Sequence, residues 1–181
     1  MTRLRTLRFA LWGLVGLAVV AAAGLWAWRS WGPTMTAAVE GDALVGGPFE
    51  LVNGAGETVT HEDFAGRPFV LFFGFTHCPD VCPTSLFEMA GWIEALGPAA
   101  DELRFAFVTV DPERDTPAVV RRYVGAFSDR IIPLTGTPAQ VDRVLDAYRV
   151  YAEKVPLEDG DYTMDHSAFV YLMDEAGRYE A

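Results

Sequence analysis

Apolar residues recur along this chain in three rhythms, each predicting a different kind of element. Residues 9–28 form a run of 20 with no charged side chain, enough at about 1.5 Å per helical residue to cross roughly 30 Å of hydrocarbon. That run predicts a transmembrane helix, with Trp26, Trp28 and Trp31 as an aromatic belt at its outer end. A cleavable signal peptide competes, because Ala21-Ala22-Ala23 resembles a small-residue cleavage site, yet the apolar run continues past it to Trp28. Residues 29–47 have no sustained period and end in Gly46-Gly47, which reads as a tether.

From Pro48 onward the rhythm shortens. "FELVNGAGETVT" is two strand-like pieces around an Asn-Gly turn. "FVLFFGFT" is a continuous apolar run, the pattern of a strand buried on both faces, and is expected at the sheet centre. A helical period follows over 83–96, with Leu86, Met89, Ala90, Ile93 and Leu96 on one face and Gly97-Pro98 as its stop. "LRFAFVTVD" predicts a second buried strand, and "IIPLTG" a short one. Thr116-Pro117 and Thr137-Pro138 open two further helices in the same way, with a threonine cap and a proline in the first turn. "DYTMDHSAF" reads as a polar turn, "SAFVYLMD" as the last clear strand, and Glu175-Ala176-Gly177 as a turn after it. Strands alternating with helices of this length predict an α/β sheet with crossover connections.

Charge narrows the function. The chain has 14 Lys and Arg against 25 Asp and Glu. Arg3, Arg5, Arg8 and Arg29 flank the apolar run, leaving ten basic against 25 acidic residues beyond it, a net charge of −15. That sign excludes nucleic-acid binding. Three arginines before the run and one after it place the N-terminus in the cytoplasm and the rest outside.

The chemistry concentrates in the two cysteines, Cys78 and Cys82, spaced C-x-x-x-C between a buried strand and a helix. Such strand-to-helix edges are where α/β folds place their sites. Free amides and the helix dipole there favour thiolate, the form that attacks disulfides and binds metals. A purely structural disulfide would close a very small loop and gain little. Two chemistries remain, dithiol/disulfide exchange and ligation of a soft metal such as Cu(I), which a nearby imidazole would turn into a three-ligand site. Of the three histidines, His61 reads as a solvated connector residue and His77 as a neighbour that tunes the site without ligating. His166 lies 84 residues beyond Cys82, so only the fold can bring it to the thiols, and spacing leaves its role open.

Three segments, "FGFTHCPDVCPTSL", "VTVDPERDTP" and "DYTMDHSAFVYLMD", occur in this order and together resemble the Sco/SenC family of membrane-anchored copper-binding proteins. The likeness runs from about residue 49 to residue 179 and includes the N-terminal anchor. It implies a thioredoxin-like fold, a central mixed sheet flanked by helices, holding one copper, Cu(I) or Cu(II), through Cys78, Cys82 and His166. It also implies a role in assembling the binuclear copper centre of cytochrome c oxidase, by copper delivery, by reduction of the target's cysteines, or both. The expected partner is then the copper-accepting oxidase subunit. The expected organisation is a cytoplasmic stretch at 1–8, a single-pass inner-membrane anchor at 9–28, a linker at 29–47 and a periplasmic copper-binding domain at 48–181. Within "DPERDTP" the likeness suggests Asp111 or Asp115 as groups behind the ligands or at a docking surface, while the residues by themselves support a solvated turn with Thr116 as cap. The family usually continues through another strand and a helix beyond "GRYEA", so the final hairpin is expected to be incomplete. The alternative function is a thiol-disulfide oxidoreductase in which Cys78 attacks and Cys82 resolves, acting on a copper-site partner or in redox signalling.

Overall fold

The computed structural model describes residues 45–158 and 160–181. The predicted membrane helix at 9–28 and most of the tether lie outside the described residues. Among the described residues no helix is long and apolar enough to cross a membrane.

The strands are β1 Glu50–Asn53, β2 Thr58–Thr60, β3 Phe69–Gly74, β4 Arg104–Thr109, β5 Ile131–Thr135, β6 Ala152–Pro156, β7 Tyr162–His166 and β8 Val170–Met173. The helices are α1 Val81–Leu96, α2 Pro117–Gly125 and α3 Pro138–Ala147, with 3-10 turns at His61–Phe64 and Gly97–Glu102. Six strands form one mixed sheet in the order β2-β1-β5-β4-β3-β8, and β6 and β7 form a separate pair. Strands β3, β4 and β5 run parallel, while β1 and β8 join their neighbours antiparallel. The α/β expectation therefore describes the architecture.

All six residues of β3 are buried, as the apolar run requires. It is nevertheless not the sheet centre: β5 and β4 take the middle positions, and β3 lies between β4 and the edge strand β8. β8 and its return arm shield that side. The arm turns on Asp174, whose Oδ1 accepts the Ala176 and Arg178 amides. It is tied back by Leu172 N–H to the Ala181 carbonyl at 2.8 Å and Glu180 N–H to the Leu172 carbonyl at 2.9 Å, with no strand of its own among the described residues.

Helix α1 starts two residues earlier than its apolar period predicts. Its buried face is Cys82, Leu86, Met89 and Ile93, with Ala90 half-buried and Leu96 41% exposed. Of the first turn only Cys82 thus belongs to the core, while Pro79, Asp80 and Val81 stay exposed. Gly97 ends the helix at φ +54°, a conformation favouring glycine.

The largest correction concerns "DYTMDH". It is not a turn but β7, paired antiparallel with β6 from Ala152↔His166 to Pro156↔Tyr162. The last strand is correspondingly shorter and begins at Val170. Among the described residues, Val45 already packs against the core, ahead of the start expected at Pro48, and the Gly46 amide donates to the Ala147 carbonyl at 2.9 Å.

Candidate metal centre

Parallel pairing of β3 with β4 brings their C-terminal ends together. Gly74 is opposite Thr109, and the Val110 amide donates to the Gly74 carbonyl at 2.8 Å. The cysteine segment leaving β3 therefore runs beside "DPERDTP" leaving β4. β8 is antiparallel to β3, with Val170 opposite Phe72, so the residues just before β8, His166 among them, arrive at this same edge. The mixed sheet closes the 84-residue gap between Cys82 and His166.

There the donor atoms of Cys78, Cys82 and His166 lie within 4.8 Å of one another. Cys82 Sγ is 3.6 Å from His166 Nε2. Cys78 Sγ accepts the Cys82 amide at 3.3 Å, giving one of the unpaired N–H groups at the start of α1 a partner. Cys82 is fully buried and Cys78 half-buried. His166 Nδ1 is 2.9 Å from the Ser167 carbonyl. A carbonyl only accepts, so Nδ1 carries the hydrogen and the neutral ring presents the Nε2 lone pair to the sulfurs. The Phe75 ring, edge-on at 5.7 Å and 87°, fixes the imidazole plane.

Three donors about 2.0–2.3 Å from one ion in a trigonal arrangement are about 3.5–4 Å apart. The Cys82–His166 separation already has that value. Two sulfurs and an imidazole form a set suited to copper or zinc and foreign to magnesium or calcium. The residues present fit such an ion.

Burial pushes the Cys82 thiol well above its ordinary range, reinforced by the Cys78 sulfur and Asp115 and partly opposed by the Phe75 amide. This corrects the expectation that the helix start favours thiolate at both cysteines. At Cys82, enclosure in the core outweighs the dipole, so in the metal-free chain its S–H faces His166 Nε2. Room for that sulfur comes from Gly74, where an added Cβ would lie 2.8 Å from Cys82 Sγ and 3.0 Å from the Phe107 ring.

Neither aspartate of "DPERDTP" is solvated. Asp115 is fully buried and accepts the Thr76 amide at 3.0 Å, the Thr76 hydroxyl at 2.5 Å and the Thr109 hydroxyl at 2.6 Å. Burial pushes its carboxyl up and these hydrogen bonds oppose the shift. Asp111, also buried, accepts Arg114 Nε at 2.5 Å and the Tyr162 hydroxyl at 2.9 Å. Arg114 donates through Nη1 to the Tyr162 carbonyl at 2.8 Å, and its guanidinium lies 3.8 Å over the Tyr162 ring. Neither carboxylate joins the cluster of converging donors. His77 is exposed, with Nδ1 at 3.2 Å from the Thr76 hydroxyl, and also stays outside that cluster. His61 is an exposed residue whose ring contacts Phe49 at 6.3 Å. Arg114, Tyr162, Thr76 and Gly74 were not legible as site residues; of these, only Arg114 carries a signal, a cation between two acids in a loop after a buried strand.

The chain belongs to the SCO1/SenC family, whose model matches residues 37–181. It is similar to the Bradyrhizobium japonicum ScoI structure with copper bound, at 51% identity and a TM-score of 0.74, covering 76% of this chain and 87% of that one. Yeast Sco1 with copper bound is similar at 38% identity and a TM-score of 0.70, covering 76% and 77%. The mitochondrial SCO1 homolog 1 of Arabidopsis thaliana is 43% identical over 134 residues, 74% of this chain and 40% of the relative's own length. The chain thus spans less than half of that relative. These structural neighbours and the mixed sheet make the fold thioredoxin-like α/β.

Proposed function

We propose that this protein is a membrane-anchored copper carrier that holds one copper between Cys78, Cys82 and His166 and serves assembly of the binuclear copper centre of cytochrome c oxidase. The observation that carries the reading is the convergence of two sulfurs and a tautomer-fixed imidazole within 4.8 Å. Copper is favoured over zinc by the copper-bound relatives from Bradyrhizobium and yeast. Cys82 gives up its proton on loading, and His166 contributes Nε2 as a neutral ligand. The half-buried Cys78 is the ligand an incoming thiol of the partner reaches first, so transfer proceeds by exchange of sulfurs from that side. The partner is the copper-accepting oxidase subunit, and residues 9–28 anchor the domain 48–181 on the periplasmic face of the inner membrane.

A second reading has one specific observation in its favour. An accessible Cys78 beside a buried Cys82 is the asymmetry of an attacking and a resolving thiol, as in a thiol-disulfide oxidoreductase. His166→Ala separates the two. In the reduced full-length chain in detergent, titrated with Cu(II), the parent is expected to develop a thiolate-to-copper charge-transfer band that the variant lacks, with copper affinity down by at least about tenfold. Exchange with a small disulfide survives in both. An unchanged band in His166→Ala would overturn the copper site as drawn.

A further inference from the structure

Five consecutive residues, 111–115, touch both halves of the candidate centre. Asp115 holds the cysteine segment through the amide and hydroxyl of Thr76, two residues before Cys78. The other three long side chains of the loop grip the β6–β7 pair, which carries His166 at one end. Asp111 and Arg114 hold Tyr162, at the opposite end of β7. Glu113 pairs with Lys154 of β6 at 2.5 Å, and the Lys154 ammonium lies 4.7 Å over the same Tyr162 ring. Both strands of the pair are thus pinned to one loop.

The β6–β7 pair needs such a grip. It is a sheet of its own, β6 has no fully buried residue, and β7 has none either. Two isolated strands are at best marginally stable without packing against a larger body. At the His166 end the attachments are local: Ser167 and Tyr151 exchange backbone and hydroxyl hydrogen bonds at 3.0 and 3.2 Å, and the imidazole rests on Phe75. Between the two ends Ala152 and Met164 rest against the core, and the Tyr162 end, roughly 14 Å from His166 along β7 at about 3.4 Å per residue, is where the loop takes hold. A shift there swings His166 relative to the cysteine segment, which Asp115 anchors through Thr76.

We infer that the loop 111–115 is a bracket that sets the His166 imidazole against Cys78 and Cys82, with Arg114 as its central positioning residue and Tyr162 as the surface it grips. The inference rests on the reading of Cys78, Cys82 and His166 as the copper ligands. The guanidinium suits the task because one planar group meets the Asp111 carboxylate, the Tyr162 carbonyl and the Tyr162 ring at once; a lysine ammonium cannot span all three. Loosening the bracket leaves the two sulfurs together at the start of α1, where the Cys82 amide donates to Cys78 Sγ, and weakens only the third ligand, so it separates the Cu(II) form, which needs the imidazole, from the Cu(I) form, which two thiolates hold.

The test compares the full-length parent with Arg114→Ala, Arg114→Lys, Tyr162→Phe and His166→Ala in detergent. Thr137→Ala serves as a control that lowers stability at a helix cap outside the bracket. Arg114→Ala is expected to lose Cu(II) to a competing chelator about 10–100-fold faster, the range for removing a ligand's supporting group. Its charge-transfer band should move toward that of His166→Ala, and in the metal-free chain amide hydrogen exchange over 163–166 should quicken. Cu(I) retention stays at the parental level. Arg114→Lys falls between, and Tyr162→Phe, which keeps the ring and loses one hydroxyl, moves the same way by less. If Arg114→Ala does not fold, Tyr162→Phe decides. Parental Cu(II) spectra and loss rates in the folded bracket variants, or an equal change in Thr137→Ala, would overturn the bracket. If His166→Ala itself leaves the Cu(II) spectrum unchanged, the ligand reading falls instead, and the two failures are distinguishable.

Discussion

Gly74 gives the Cys82 sulfur the space it occupies, and the sulfur's burial in turn governs its proton. A Cβ at position 74 would meet Cys82 Sγ at 2.8 Å and aromatic carbons of Phe107 and Phe72 at 3.0 and 3.2 Å, all inside the closed core. None of these neighbours is a loose side-chain end, so Gly74→Ala is expected to destabilise the chain by about 1–3 kcal/mol in urea unfolding and to displace the sulfur from His166, weakening copper binding. Burial also holds the Cys82 thiol above its ordinary range. The metal-free chain then carries a proton that a bound metal must displace, and each proton released adds about tenfold to apparent affinity per pH unit gained. Copper affinity should therefore rise with pH across neutrality and fall in acid, and Cys82→Ser should flatten that slope in competition titrations. A flat profile in the parent would mean that Cys82 is already ionised. At this scale Cys78 and Cys82 are legible from spacing alone, because only three residues separate them where a strand gives way to a helix. His166 is not, since nothing local records a partner 84 residues away. Family likeness supplied what spacing left open. Arg114 stands out only as a cation between two acids, and its pairing with Tyr162 leaves no trace in the sequence: a cation stacked on a ring across 48 residues is a product of the fold.

Elements read well where burial is patterned and poorly where it is not. The six buried residues of β3 and the five of β4 announce themselves as apolar runs. β6 and β7 do not, because their ladder is held by backbone pairing and by rings and charges at the surface, leaving no alternation for the sequence to display. The two Thr-Pro openings look alike until the third helical residue is considered. Thr137 accepts the Gln140 amide at 3.3 Å while Gln140 Oε1 accepts the Thr137 amide at 2.9 Å, a reciprocal capping box. At Thr116 the corresponding residue is Val119, which has no group to return a hydrogen bond, and the exposed Thr116 side chain makes no cap hydrogen bond. Thr137→Ala is therefore expected to lower stability by about 1 kcal/mol and Thr116→Ala by much less, read as urea midpoints at unchanged slope. Equal losses would show that proline and backbone, not the side-chain box, start both helices.

Over the whole molecule, charge is segregated along the chain. Arg3, Arg5 and Arg8 precede the apolar stretch, the first acidic residue is Glu40, and ten basic face 25 acidic residues beyond Arg29. Orientation in a membrane follows Lys and Arg close to the span, with acidic residues contributing little. The proposed placement thus depends on three arginines, while the acidic body is indifferent to it. The site's chemistry agrees with an outer location, because a dithiol that must be reduced before it binds copper gains a control there that a reducing cytoplasm removes. A reporter that folds only outside the cytoplasm, fused after Ala181, is expected to be active, and a reporter that folds only inside to be inactive. Arg3→Gln, Arg5→Gln and Arg8→Gln combined should shift part of the population to the opposite orientation, leaving Arg29 as the remaining basic flank. Activity of the inner reporter alone in the parent would sink the outer placement, and with it transfer to any partner on that face, while leaving the geometry of Cys78, Cys82 and His166 untouched.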